Sequence, residues 1–370
     1  MLRRCKLLVL ILAVLLLSAS CATEIAVRYM QPSEINMGSY RNLALASVVP
    51  YKGFVTSSGW IRTIDIGSAG ILIRPSYSYD ITNSVASYAT DRIYSTLSSS
   101  GYYNILPPSS TDRIIHTSWD ESREFRDMGY DAVMIPRIDA MNVDENIYSV
   151  QRSATEYDAY DHSYYTYYYY DYYIKQTASI TYTISVIDTN TEKIIATRTF
   201  TDSRTNTESI DPDFPRFDKA ELLFQRMIRS FDAGIIRLFV PTMHNYNVAL
   251  MDNKPEIKEL KDAYDAAKDG NTSYALDAFM AEWKRSQHVP SGFNAAVLTA
   301  ALGDIDGAIA IAEDLSRYSS DRKVSALLTD LRRVKSYNEE AEKQLTAPPA
   351  SAVVPDDMGP EYSVYDYLTR

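Results

Sequence analysis

The chain has 370 residues, with 37 basic against 48 acidic side chains and a formal net charge of −11. That length is enough for two domains with real cores, and an acidic chain without a strongly basic stretch is not built to hold nucleic acid. Cysteine occurs only at positions 5 and 21, whereas tyrosine is in excess at 30 residues.

The chain opens with Arg3, Arg4 and Lys6, then an unbroken apolar run from Leu7 to Leu17, then Ser18, Ala19, Ser20 and Cys21. The run is about half the length that spans a bilayer, so it reads as an export signal. The small residues ending at Cys21 resemble the lipobox of bacterial lipoproteins. That resemblance implies a signal peptide over residues 1–20, cleavage before Cys21, and a membrane anchor of acyl chains such as palmitate on its sulfur. An ordinary secretory signal with a chance cysteine is the plain alternative. Ala22 stands where aspartate retains lipoproteins at the inner membrane of enteric bacteria, so the resemblance points to the outer membrane with the domain facing the periplasm. The inner membrane and the cell surface stay open. Removing a signal with three basic and no acidic residues leaves a net charge of −14. With Cys5 removed and Cys21 acylated, no thiol remains for a disulfide, a metal or nucleophilic catalysis.

Residues 21–41 read as a lipid-anchored linker, and residues 42–252 as an α/β domain. Within that domain, 42–50 is an apolar run of strand length ending at Pro50. Residues 51–75 read as a loop rich in glycine, serine and threonine. Residues 80–100 carry Ile81, Val85, Tyr88, Ala89, Ile93 and Leu97 at helical spacing, and Gly101 ends that helix. A strand at 103–106 stops at Pro107 and Pro108. A short helix runs towards His116, another covers 119–128, and a strand follows over 130–142. Residues 178–188 alternate, with Ile180, Tyr182, Ile184 and Val186 on one side, and pair through a turn with 193–201 as an antiparallel hairpin. An acidic loop over 202–215 leads to a helix over 216–240 that ends at Pro241, and 247–251 is an edge strand. This order predicts an α/β (α+β) layer sandwich with a mixed sheet, followed by a smaller all-α helical-hairpin domain.

From Pro255 the composition turns to Ala, Leu, Asp, Glu and Lys. Ala263, Gly270 and Ala275 recur as Ala296, Gly303 and Ala308, each offset by 33 residues. Small residues around a glycine turn let two helices cross closely, so residues 253–345 resemble tetratricopeptide helical hairpins. A generic helical bundle is the alternative. About three such units are normally needed for stability, so the tail is expected to lean on the α/β domain and on a last helix near 321–345. Residues 346–370, rich in proline and alanine, read as disordered.

Four stretches of the α/β part, at 33–51, 91–106, 129–138 and 179–197, resemble in order the periplasmic domain of the curli-secretion (CsgG) and penicillin-binding-protein-activator (LpoB) lipoproteins. The resemblance covers roughly residues 33–240. It implies a binding or assembly protein without a catalytic centre, acting on a protein partner of the cell envelope. An oligomeric curli-type secretion channel and an envelope hydrolase are the alternatives.

A tyrosine-rich hairpin insertion is expected at 152–175. Residues 157–173 hold ten tyrosines, of which Tyr164, Tyr165, Tyr167, Tyr168, Tyr169, Tyr170, Tyr172 and Tyr173 are the candidate binding residues. Three readings compete: a solvent-facing hairpin whose rings pack on each other, a rigid recognition surface for protein or glycan, or an interfacial or barrel-forming strand pair. No catalytic motif appears, the histidines (116, 162, 244, 288) are scattered, and Asp211 and Asp213 lack the glycine and glutamate of a calcium loop. No enzyme activity, cofactor or metal is expected.

Overall fold

The structure is a computed structural model. It describes residues 23–65, 71–210 and 218–346, with the side chains of 58–78 left aside. The signal peptide expected over residues 1–20, Cys21, Asp211, Asp213 and the residues from 347 onward lie outside the described residues. The chain divides into two compact units: residues 33–240, and residues 23–32 together with 241–345.

The first unit is built on a five-stranded mixed sheet with helices on both faces. Its strands in chain order are β2 (Asn42–Leu45), β5 (Asn104–Leu106), β6 (Ala132–Asp158), β7 (Ser163–Asp188) and β8 (Ile194–Ile210). Their spatial order is β5-β2-β6-β7-β8. β2 runs parallel to β5 and to β6, whereas β6, β7 and β8 are antiparallel neighbours. Between β2 and β5 lies helix α1 (Thr82–Ser99), and between β5 and β6 lie α2 (Pro108–Thr117) and α3 (Glu121–Asp127). After β8 come α4 (Glu221–Ser230) and α5 (Asp232–Phe239), where a single helix over 216–240 was expected. Phe231 turns between them.

The period of two along each strand divides these residues between two cores. Leu43, Leu45, Met134, Ile180, Tyr182 and Ile184 pack with α1, α4 and α5. Ala44, Ala46, Val133, Ile135 and Ile187 pack with Ile114 and Ile115 of α2 and Phe125 of α3. α1 is tied to α5 where Arg92 and Thr96 both donate to the Asp232 carboxylate. At the β7–β8 turn, Asp188 accepts the backbone N–H groups of Asn190 (2.7 Å) and Thr191 (3.0 Å) and the hydroxyl of Tyr40 (2.6 Å). The Tyr40 hydroxyl is pushed up to about 12, first by burial and then by this bond.

Two stretches expected to be loops are strands. Residues 51–75 were read as a glycine-rich loop, yet β3 (Thr56–Asp65) and β4 (Ile71–Asp80) form an antiparallel two-stranded sheet, with irregularities between Ser58 and Ile61. The expected acidic loop at 202–215 is strand up to Ile210, because β7 continues past the domain edge and gives β8 a partner as far as Tyr172.

The second unit opens on β1 (Glu24–Gln31), a strand within the stretch expected to be a linker. It pairs antiparallel with β9 (Thr242–Ala249), from Glu24↔Ala249 to Gln31↔Thr242. A one-turn 3₁₀ segment and helices α6 (Lys261–Lys268), α7 (Thr272–Ser286), α8 (Val289–Ala301), α9 (Ile305–Tyr318) and α10 (Arg322–Thr346) follow. The 33-residue repeat corresponds to the pairs α6–α7 and α8–α9. Ala263, Ala275, Ala296 and Ala308 are buried, and Gly270 and Gly303 adopt φ of 84° and 97°, a region open to glycine at little cost. The support expected from a neighbouring surface comes within the unit from Val27 of β1, Val248 of β9, and Val324, Leu327 and Leu331 of α10. Asn294 of α8 latches the start of this segment: its Oδ1 accepts from Met251 N (2.7 Å), and its Nδ2 donates to Met251 O (3.1 Å) and to the Tyr264 hydroxyl (2.9 Å).

Two stability predictions follow from buried polar groups. The Tyr182 hydroxyl is buried without a hydrogen-bond partner among the described residues, and burial drives its ionisation far upward. Tyr182→Phe is expected to stabilise the protein by about 1 kcal/mol at pH 7 in urea unfolding. The folded-state value lies above that of an unfolded tyrosine, about 10. The neutral ring therefore contributes fully below that pH and progressively less above it. Wild type should lose about 1.4 kcal/mol per pH unit there that the phenylalanine variant retains. Asn294→Ala strands the buried N–H of Met251, whose carbonyl keeps the Tyr264 hydroxyl as a donor at 2.7 Å, and should lower the stability of the helical unit by about 2 kcal/mol in thermal unfolding. An unchanged midpoint would contradict the latch.

Candidate binding surface

The tyrosine segment is the distal half of the β6–β7 hairpin. The two strands pair continuously to Asp158↔Ser163, and a four-residue turn over 159–162 closes them. Asp158 Oδ1 accepts the N–H of Tyr160 (2.8 Å) and of Asp161 (3.3 Å). His162 closes the turn at φ 52°, and its Nδ1 lies 2.8 Å from the Tyr157 hydroxyl. β8 accompanies β7 only to the rung Tyr172↔Ile210. Beyond it the described chain is a two-stranded ribbon, about 35 Å long at the usual rise per residue.

The alternation of β7 divides the tyrosines between two faces. Tyr165, Tyr167 and Tyr169 lie on one face with ring centroids 6.0 and 6.1 Å apart. Across the strand pair they face Glu156, Ala154 and Arg152. Tyr164, Tyr168 and Tyr170 lie on the other, opposite Tyr157, Ser153 and Gln151. All six are exposed, from 38% at Tyr167 to 75% at Tyr164. The other two candidates belong to the base. Tyr172 is buried in a small cluster with Ile174, Ile210 and Ile147, and Tyr173 stacks on Tyr148 of β6 at 5.5 Å.

Cross-strand contacts hold the ribbon: Tyr157 against Tyr164 at 5.1 Å, Thr155 to Thr166 at 3.2 Å, Arg152 to Asp171 at 3.0 Å, and the Tyr165 hydroxyl donating to Glu156 at 2.8 Å. Each such pair contributes roughly 0.2–1 kcal/mol. The bond to Glu156 raises the ionisation of Tyr165, and bonds to Tyr173 and then Asp171 raise that of Arg152. Glu156, Arg152 and Tyr148 did not stand out in the sequence. Arg152 and Glu156 fall within the hairpin expected at 152–175 and Tyr148 just before it, but their only signal was their place on the strand facing the tyrosines.

Elsewhere in this unit, a cleft of about 580 Å³ opens beyond the end of β2, where the chain crosses to β5 on one side and to β6 on the other. Ser47, Asn83, Ser87, Asp91 and Asp112 are among its lining residues, which include no histidine, cysteine or cation. Asp112 is engaged by Ser47 N at 2.9 Å. Among the described residues, no group of three His, Cys, Asp or Glu side chains could hold a metal ion, and no helix is long and apolar enough to cross a membrane.

No protein-family model matches the chain, and no curated protein matches it. Several solved structures align with part of it, among them the following two. One is a Xanthomonas campestris protein of family DUF330, with TM-score 0.26 and 11% identity over 57% of this chain and 90% of that one. The other is a dodecameric PelC variant from Paraburkholderia phytofirmans, with TM-score 0.23 and 11% identity over 58% of this chain and 97% of that one. Overlap at that level carries no argument about function. The CsgG/LpoB resemblance rests on the sequence stretches alone.

Proposed function

We propose that this protein is a membrane-anchored lipoprotein acting as a non-catalytic binding and assembly factor of the cell envelope, with the tyrosine ribbon as its contact surface. The observation that carries the reading is the ribbon itself: six exposed tyrosines on a hairpin that projects past β8, the edge strand of its sheet. A two-stranded ribbon is marginal alone in water, and rigid aromatic side chains with a hydroxyl at the tip are the residue type most effective in recognition surfaces. A barrel-forming role fits less well, because neither face of the ribbon carries an aliphatic row to meet lipid. One face holds Glu156, Arg152 and Asp171, and the other Ser149, Gln151, Ser153 and Thr155.

The reading is tested by crosslinking in intact envelopes of the source bacterium. Wild type should yield a defined adduct, and Tyr165→Ser/Tyr167→Ser/Tyr169→Ser should lose it while unfolding within a few degrees of wild type, since these side chains add cross-strand contacts on the ribbon but enter neither core. An adduct that survives the triple substitution would remove the ribbon from the contact. The anchor is tested separately by mass spectrometry of membrane-extracted protein. The expected N-terminal peptide begins at an acylated Cys21, and Cys21→Ser should release the protein from membranes. An unmodified sulfur at position 21, or an intact Met1, would overturn the tether.

A further inference from the structure

We infer that the occupant of the ribbon is an extended, lysine-rich polypeptide segment that pairs with the outer edge of β7 between Ser163 and Asp171. This rests on the reading of the ribbon as a contact surface and adds the chemistry of its partner.

The first argument is charge. Between residues 149 and 172 the ribbon carries Glu156, Asp158, Asp161 and Asp171 against a single cation, Arg152. Arg152 is paired with Asp171, which leaves three carboxylates without a cationic partner on the ribbon. Glu156 is held beside the tyrosine row by the hydroxyl of Tyr165. An ammonium group arriving there meets both a carboxylate and the negative face of an aromatic ring.

The second argument is spacing. The rings of Tyr165, Tyr167 and Tyr169 follow one another at 6.0 and 6.1 Å. Alternate side chains of an extended peptide follow at about 6.6 Å. A strand with lysine at every second position therefore brings one ammonium group to each ring.

The third argument is the edge. Among the described residues none pairs with this edge of β7 beyond Tyr172↔Ile210, and a strand edge of this kind is the backbone surface to which an extended peptide adds. A segment added there extends the line of β8, and its side chains stand next to those of β7 on the same face. The charge that favours this occupant disfavours others. Two copies of the ribbon would set unbalanced carboxylates against each other, and an anionic lipid surface or a phosphate-bearing glycan would meet the same repulsion. A neutral glycan could stack on the rings and donate hydroxyls to Glu156, but it brings no charge to balance the carboxylates and no backbone to pair with the edge.

The test uses the full chain and fluorescence anisotropy with three labelled probes: a peptide of alternating lysine and threonine, one of alternating glutamate and threonine of equal length, and a neutral N-acetylglucosamine oligomer. The lysine peptide should bind about ten-fold more tightly than either other probe and weaken as salt rises. Tyr165→Ser/Tyr167→Ser/Tyr169→Ser should weaken it about ten-fold, and Glu156→Gln about three-fold, with unchanged circular dichroism. Equal affinity for the glutamate peptide, a preference for the glycan, or full binding by both variants would overturn the inference. If the envelope adduct depends on the ribbon but the lysine peptide is not preferred, the cationic occupant falls and the contact surface stands. If the substitutions change neither adduct nor peptide binding, both fall.

Discussion

The ladder between β6 and β7 runs from Ala132↔Asp188 at the base to Asp158↔Ser163 at the tip, with one irregularity between Ile138 and Ala140. The irregularity adds a residue to β6 only, and side chains alternate without interruption along β7, so the faces of β7 are a single choice made once for its whole length. The base makes that choice. Ile180, Tyr182, Ile184 and Val186 are buried against the helices, and a slip of one residue would exchange them for Thr181, Thr183 and Ser185. Each large apolar side chain buried contributes roughly 1.5–3 kcal/mol, so the slipped state is excluded. The tip inherits the result: Tyr165, Tyr167 and Tyr169 share a face because residues far along the same strand are fixed by a core they never touch. A surface loop of the same composition would have had no such instruction.

The helical unit is organised by a different constraint, the close approach of helices at small residues. Ala275, Ala296 and Ala308 have no accessible surface, and the turns between paired helices need the positive φ that Gly270 and Gly303 supply. Two hairpins of this kind leave end faces uncovered. Here α10 and the β1–β9 pair supply apolar cover, drawing on Val27 and Val248. Residues some 220 positions apart in the chain are thereby joined, and the stretch from Glu24 that was expected to be a linker becomes part of a packed unit.

What could be read from the sequence follows from how local each signal is. The alternation at 178–188, the helical stripe of α1 and the glycine-centred repeat are patterns within a few turns or rungs, and the mixed α/β sheet with a separate helical part was legible from them. β1 was not, because its partner lies beyond the whole α/β unit and eight residues with Glu24 and Arg28 among them show no clear face. β3 and β4 were hidden by glycine and serine, residues poor in strand propensity. The distal halves of β6 and β7 have both faces in water, so hydrophobic alternation, the usual mark of a strand, has no reason to exist there. Composition alone marked the tyrosines. The division into six exposed rings and a base formed by Tyr172 and Tyr173 depends on where β8 stops, at an Ile210 that reads as part of an acidic loop.

The charged groups on the ribbon and its aromatic rings are two answers to one problem. A projecting strand pair with open edges invites association with any extended chain. Tyrosine makes such a ribbon stiff enough to hold its shape, through contacts such as Tyr157 with Tyr164, but it also makes the surface adhesive. Carboxylates at 156, 158 and 161 restrict that adhesiveness by sign: neighbouring copies and anionic surfaces are repelled, while a cationic chain is not. Asp158 does so while also bonding the turn, and Glu156 while orienting Tyr165. The same carboxylates that shape the ribbon thus select what it can touch, and the selectivity needs no pocket because it is distributed along an edge.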